Sequence, residues 1–247
     1  MTNINDSFFD GHYKDIWRNL IPSQLTEKET QFMIQFFDLQ PGDEVLDVMC
    51  GYGRHAIALA QKGIKVTAVD NLPQYVDEIK SESIKQHLPL EAIQANIIEY
   101  QPRGSFKLAI CMGNSLNFFD AADTVKLLRY WSEALPAGSH LLINSWSLAE
   151  IIIPQFADSS ETSQGDLKIV SHSKYLFHPA RVETETQMID SSGETEHKTA
   201  IDYVFSVNEV EQMLGEAGFA LREIYSIPGK KKFSLGEPRA YIVATRQ

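Results

Sequence analysis

Cysteine is almost missing from this chain of 247 residues: Cys50 and Cys111 are the only two, and both fall in apolar runs. That scarcity argues against a disulfide-stapled scaffold, and without a spaced Cys/His cluster no zinc ligand set is available. The pair reads as free buried thiols in a reducing compartment. No apolar run is long enough to cross a bilayer, and the opening stretch MTNINDSFFDGHYKDIW lacks the basic and then apolar segments of a secretion signal. The expectation is a cytoplasmic protein with no membrane partner and no metal. Basic residues are also in deficit, since 22 Lys and Arg against 33 Asp and Glu leave a formal net charge of −11. A field of that sign repels a polyphosphate backbone and slows its approach, so nucleic acid is not expected as a partner. The oligomeric state cannot be read from these features.

A hydrophobic content of 43% is enough to build the core of one α/β domain over residues 1–247. Apolar residues at helical spacing predict two N-terminal helices within residues 1–40, from about Asp6 to Leu20 and from about Leu25 to Leu39. Thr26 and Glu29 have the spacing of a capping box at the second helix start, and Pro41-Gly42 closes that region. Over residues 41–145 the pattern alternates. Strands are expected at Val45–Val48, Lys65–Val69, Leu90–Ala95, Phe106–Met112 and His140–Asn144. The helices between them fall at Arg54–Gln61, Pro73–His87 and Ala121–Leu135. Five strands with intervening helices predict a Rossmann-like, doubly wound, mostly parallel sheet. Residues 146–205 change character: Lys168–Phe177, Arg181–Ile189 and Thr195–Val204 read as antiparallel strands of an inserted β-rich cap, with Ser191-Ser192-Gly193 as a turn. Residues 206–247 return to the core with a helix at Val207–Ala217, a stop at Gly218, and strands at Ala220–Ile227 and Ala240–Thr245. The sheet then has seven strands.

The run Val45-Leu46-Asp47-Val48-Met49-Cys50-Gly51-Tyr52-Gly53-Arg54-His55-Ala56 sets a strand, a glycine turn and a helix start in succession. Gly51 and Gly53 can take positive φ and leave room for a ligand to approach the backbone. The G-x-G-x-x-A spacing alone also fits a dinucleotide fingerprint. Asp47 argues against a pyrophosphate, which would sit at the helix N-terminus, and favours an ammonium or sulfonium instead. Asp70, at the end of the second strand, is placed to accept hydrogen bonds from ribose hydroxyls. Each of these carboxylates also has a purely structural alternative, Asp47 satisfied by neighbouring amides and Asp70 as a helix cap.

Asp47, Cys50-Gly51-x-Gly53-Arg54-His55 and Asp70 together resemble class I S-adenosylmethionine-dependent methyltransferases, in particular the small-molecule branch with a CGxGRH loop. Ala95-Asn96 and Cys111-Met112-Gly113-Asn114-Ser115 are similar to the glycine/sarcosine N-methyltransferase group. The resemblance covers roughly residues 40 to 145. It implies an antiparallel last strand and S-adenosyl-L-methionine as cofactor. It further implies that Cys50, Gly51 and Gly53 form the methionine loop, that Asp47 supports the amino group and that Asp70 holds the ribose. Asn96 would face the adenine amino group where the family commonly has aspartate, Ile97 would pack on the ring, and Met112-Gly113 would close over the methionine end.

His55 and Arg54 read as structural partners of the loop. Lys230-Lys231-Lys232 reads as a solvated run, and Tyr13 with Trp17 as either a packing pair or a cover for the cofactor. Methyl transfer to a small-molecule acceptor is direct displacement at carbon, so alignment matters more than a nucleophilic residue. His172, Tyr175, His178, Tyr203 and Asn117 are unassigned candidates near the acceptor, and no catalytic residue can be named. A non-catalytic S-adenosylmethionine-binding protein and an NAD(P)-linked oxidoreductase remain as alternatives.

Overall fold

The computed structural model describes residues 3–247, with every side chain among them except those of Ser7, His12, Lys14 and Asp15. A 3-10 turn, Ile4–Ser7, precedes α1 (His12–Leu20) and α2 (Ser23–Phe36). The continuous first helix expected from residue 6 is interrupted because Gly11 takes φ 61° at the start of α1. The expected capping box is also absent. Pro22 is the N-cap of α2 and no side chain caps it, so Thr26 and Glu29 lie inside the helix. Glu29 is buried, and its carboxylate turns to partners distant in sequence instead of back to the helix start.

β1 (Glu44–Val48), α3 (Arg54–Ala60), β2 (Lys65–Asp70), α4 (Pro73–Gln86) and β3 (Leu90–Gln94) follow as the alternation requires. β4 (Leu108–Cys111), a 3-10 turn at Ser115–Phe118, α5 (Ala121–Glu133) and β5 (His140–Ser145) extend the series. After α6 (Ala149–Gln155) come β6 (Ser159–Gln164), β7 (Leu167–Phe177), β8 (Ala180–Ile189) and β9 (Thr195–Tyr203). The chain ends with α7 (Val207–Glu216), β10 (Phe219–Ile227), β11 (Lys231–Lys232) and β12 (Ala240–Arg246).

The main sheet has the order β11-β10-β12-β5-β4-β1-β2-β3. β1 to β5 run parallel, and β12 inserts antiparallel between β5 and β10. Eight strands therefore replace the expected seven. The addition is the two-residue β11, which carries Lys231 and Lys232 and pairs with β10. Those lysines pair with carboxylates, Lys231 with Glu237 and Lys232 with Glu223, so the basic run is locally neutralised.

Successive residues of β1 feed opposite faces of the sheet, as the pleat dictates. Leu46 and Val48 join Leu127, Leu128 and Trp131 of α5 on one face. Val45 joins Met33 of α2, Leu59 of α3 and Tyr241 of β12 on the other. Because β1 lies between β2 and β4, the strand order reverses there and opens a crevice beyond the carboxyl ends of β1 and β4.

The segment between β5 and α7 forms a second, antiparallel sheet, β6-β7-β8-β9. β7 to β9 match the three expected strands. β6 was not legible because its sequence, SSETSQ, has no apolar alternation and forms an exposed edge. The same segment begins with α6, which packs Ile151 into the main core.

Candidate active site

The reversal crevice is built first by the loop after β1. Met49, Gly51 and Gly53 all take left-handed backbone angles, φ 54°, 55° and 75°. Two of these positions require glycine for different reasons. A Cβ on Gly51 would meet nothing within 4 Å, so its open face belongs to the cleft. A Cβ on Gly53 would come within 2.6 Å of Ile79 Cγ1, so this glycine permits α3 to pack against α4. Gly53 accordingly does not line the cleft, whereas Asp47, Cys50, Gly51, Asp70, Asn96, Ile97, Met112 and Gly113 do.

Asp70 holds the loop closed. Its Oδ2 accepts the Gly51 N–H at 2.7 Å and its Oδ1 accepts the Leu72 N–H at 3.0 Å. The structural and ligand-facing readings of Asp70 are therefore compatible, since the residue lines the cleft and the backbone bonds do not fill all four lone-pair sites of its carboxylate. Burial raises the pKa of this carboxyl above its ordinary value, against the backbone N–H bonds of Leu72, Gly51 and Asn71 that lower it.

Asp47 is 1% exposed, and its Oδ2 is buried without a hydrogen-bond partner among the described residues. Burial pushes its pKa up to about 8, offset in part by the Arg54 charge and reinforced by Asp70. A buried carboxylate with an unmet oxygen is costly, and a cationic donor entering the cleft would remove that cost. Asn96 begins the turn after β3, where its Oδ1 accepts the Ile98 N–H at 3.1 Å and keeps one lone pair for a ligand. Ile97 and Met112 are buried against the cleft floor.

Glu29 organises the far side of the loop. Its Oε2 accepts from Arg54 at 2.6 Å and lies 2.9 Å from His55 Nε2, and its Oε1 accepts from Tyr241 Oη at 2.6 Å. Arg54 also reaches Thr26 Oγ1 at 3.0 Å. Burial would raise the Glu29 pKa, but the His55 and Tyr241 bonds and the Arg54 charge outweigh it and hold it at about 2. Burial and the Arg54 charge push His55 below its ordinary value, so Arg54 is the cation here and neutral His55 donates through Nε2–H. His55 thus serves the loop as a structural partner, as the sequence reading held.

The roof of the cleft comes from the N-terminal segment, which the sequence reading left out of the site apart from Tyr13 and Trp17. Asn3, Asn5, Asp6, Phe9 and Trp17 all line it. Asn5 exchanges two 2.8 Å hydrogen bonds with the backbone of Ile201 in β9. Asn71 Nδ2 donates to Asp6 Oδ1 at 2.6 Å, and Tyr75 Oη donates to the Phe9 carbonyl at 2.7 Å. Asn and Asp in an irregular segment read as turn formers, which hid these long-range partners. Tyr13 and Trp17 are a packing pair, with rings 6.1 Å apart and nearly parallel, and of the two Trp17 lines the cleft.

Beyond Gly113 a buried polar network ties the two sheets together. Asn114 Oδ1 accepts the N–H groups of Trp146 at 2.9 Å and Ser147 at 3.0 Å, and its Nδ2 donates to Asp202 Oδ1 of β9 at 2.8 Å. Asn117 donates to the Tyr203 carbonyl at 2.8 Å and accepts from Ser145 Oγ at 2.8 Å, which makes it a structural bracket. Tyr175 packs against Phe156 and Phe177, and neither it nor His172, His178 or Tyr203 lines the cleft.

Residues 45–138 match the family model described as a methyltransferase domain. A protein of Geobacillus sp. (strain WCH70) with a provisional methyltransferase name is 25% identical over 216 residues, 85% of this chain and 83% of its own length. The solved S-adenosylmethionine-dependent methyltransferase from Clostridium acetobutylicum ATCC 824 superposes with TM-score 0.80 at 17% identity, covering 95% of this chain and 96% of that one. CalS10 of Micromonospora echinaspora, an amino pentose methyltransferase solved with S-adenosylmethionine bound, gives TM-score 0.71 at 16% identity over 96% and 98% of the two chains. The methyltransferase domain over residues 45–138 and the named relative support an S-adenosylmethionine-dependent methyltransferase with S-adenosylmethionine as its cofactor, and the solved structures share its fold. Among the described residues no helix is long and apolar enough to cross a membrane, and no group of His, Cys, Asp and Glu could hold a metal.

Proposed function

We propose that the chain methylates a nitrogen or oxygen of a small-molecule acceptor, with the cofactor seated in the cleft beyond β1 and β4. The observation that carries this reading is the unpartnered, buried Asp47 Oδ2 beside the open face of Gly51. An anionic pyrophosphate would leave that carboxylate worse off, whereas the α-ammonium of the methionine moiety would satisfy it. The bound cofactor supplies a methyl group already activated on sulfonium. The chain then has to hold the acceptor in line and exclude water, and the roof of Phe9 and Trp17 with Phe118 suits that task. Cys50 and Gly51 line the methionine end, Asp70 faces the ribose, Asn96 and Ile97 take the adenine, and Met112-Gly113 close the methionine side. Gly53 shapes the loop without touching the ligand.

The second sheet braces the cleft roof through β9, whose Ile201 backbone holds Asn5, and the net charge of −11 disfavours nucleic acid as the acceptor. The amino pentose named for CalS10 is in keeping with a small acceptor. Methyl turnover on a panel of metabolites, beside calorimetry with S-adenosylhomocysteine and NAD, tests the reading. Binding of NAD in place of S-adenosylhomocysteine would overturn it, and cofactor binding without turnover on any acceptor would leave a binding protein.

Two variants probe the nucleoside end. Asp70→Ala is expected to weaken S-adenosylhomocysteine binding by about 1.5–3 kcal/mol, the size of a lost charged hydrogen bond. Unchanged affinity by calorimetry would remove Asp70 from the site. Asn96→Asp should leave affinity within about threefold, because aspartate keeps the oxygen that accepts the Ile98 N–H and the one facing the adenine amine. A large loss there would mean that the amide N–H of Asn96 is the group in contact with the ring.

A further inference from the structure

Resting on the methyltransferase reading above, we infer that the acceptor is a small molecule with an apolar ring and no anionic group, received by the aromatic roof of Phe9, Trp17 and Phe118. All three line the cleft and each is half-buried, so part of every side chain stays open. The rings form one surface. Phe9 meets Phe118 with centroids 5.1 Å apart, and Tyr13, outside the cleft lining, bridges Phe9 and Trp17 at 5.3 Å and 6.1 Å. Asn3 Nδ2 donates to the Phe118 carbonyl at 2.9 Å, which anchors the roof to the turn that follows Met112-Gly113.

The polar side chains around this roof are already engaged with the protein. Besides its bond to Phe118, Asn3 accepts the Asn5 N–H through Oδ1 at 2.9 Å. Asn5 commits both ends of its amide to the Ile201 backbone, and Ser115 Oγ donates to the Met112 carbonyl at 3.0 Å. Recognition of the acceptor's body is therefore left to the rings, which hold an apolar ring by burial and by edge or offset contact. A body covered in hydroxyls would lose its hydrogen bonds to water without replacing them.

Charge rules out an anion. Asp6, Asp47 and Asp70 line the cleft, and beyond the effect of burial the charge of Asp6 raises the pKa of Asp70 and the charge of Asp70 raises that of Asp47. Among the described residues of the lining only Arg54 and His55 are basic. Arg54 is met by Glu29 at 2.6 Å, and burial keeps His55 neutral. Arg18, which lies over the ring of Tyr52, is paired with Glu78 at 2.6 Å. A carboxylate or phosphate on the acceptor would leave water with no uncommitted cation among these residues to receive it, and the net charge of −11 opposes its approach. Amino acids and phosphorylated metabolites are both disfavoured on this ground.

Benzamide, benzoate and acetamide, added to the S-adenosylhomocysteine-loaded protein, test both parts without requiring the natural acceptor. Benzamide and benzoate share a ring and differ in charge, whereas benzamide and acetamide share an amide and differ in the ring. In ligand-observed NMR at pH 7, benzamide is expected to bind about tenfold more tightly than either of the others, or better. Its advantage over acetamide should fall at least about threefold in Phe9→Ala and in Phe118→Ala, each of which removes one ring. Benzoate or acetamide binding as tightly as benzamide, no binding of benzamide, or an unchanged preference in both variants would each overturn the proposal. The loading step separates this from the reading beneath it: failure of S-adenosylhomocysteine to bind removes the cofactor site, whereas loading followed by any of those results removes only the assignment of the acceptor. Because the comparison of the three fragments uses the unaltered protein, it stands even if a variant folds poorly.

Discussion

Asp47→Asn is expected to weaken S-adenosylhomocysteine binding by about 2–5 kcal/mol, the cost of removing one partner of a buried charge pair. The same substitution should raise the thermal midpoint of the ligand-free protein. Both effects come from one atom, the buried Oδ2 that has no partner until a cation arrives. The sign follows from its pKa, which burial raises from 3.8 to about 8. A carboxyl group raised in the folded state contributes full stability below its unfolded pKa and loses it as pH climbs through the folded one. Ligand-free protein should therefore lose stability between about pH 4 and pH 8, and the asparagine variant should lack that part of the slope. Thermal unfolding across this range and calorimetry at pH 7 measure the two halves. A variant that loses affinity and stability together would place Asp47 in the framework instead of the binding site.

Glu29→Ala should destabilise the fold by about 3–5 kcal/mol, because it leaves Arg54 half-stranded in the interior and removes the acceptor of both His55 and Tyr241. Glu29 is 2% exposed, so solvent screening does little to reduce the effect. Here the pH dependence has the opposite sign. The folded pKa is held at about 2 against an ordinary 4.5, so the contribution is complete above pH 4.5 and is lost as pH falls toward 2. That difference corresponds to about 3 kcal/mol. Urea unfolding should show a wide gap between variant and parent at pH 7 that narrows steadily below pH 4. A gap that does not change with pH would mean that packing, not charge, accounts for the role of Glu29.

The contrast between these two carboxylates shows what the sequence can and cannot convey. Asp47 was legible because it lies near the end of an apolar strand just ahead of a glycine turn, and every signal involved lies within ten residues. Glu29 was misread as half of a capping box. The spacing to Thr26 was right for one, but its real partners, Arg54, His55 and Tyr241, lie 25 to 212 positions away. The central alternation of strands and helices was readable for the same local reason, as was the helix stop at Gly218, which takes φ 83°. β6 escaped because an exposed edge strand needs no apolar face, and its position is set by pairing with β7.

Asp202 was hidden in a different way. It stands in a strand of alternating character, next to Tyr203, and only the registry of β9 with β8 decides which side chain turns toward the main sheet. The polar N-terminal roof shares that difficulty, since Asn5 contributes through a β9 backbone 196 positions away. Gly53 carries a different lesson. Its motif position drew it into the predicted site, yet its missing side chain makes room for Ile79, so a glycine signature can mark packing as well as ligand approach.

Calorimetric titration with S-adenosylhomocysteine at pH 7, repeated in two buffers of different ionisation enthalpy, tests the central claim most directly. One molecule should bind per chain and release about one proton, because the ligand's ammonium ionises an Asp47 whose pKa stands at about 8 before binding. The release should vanish in Asp47→Asn along with most of the affinity. Absence of binding, or tight binding without proton release that survives in Asp47→Asn, would contradict a cofactor site built on this loop.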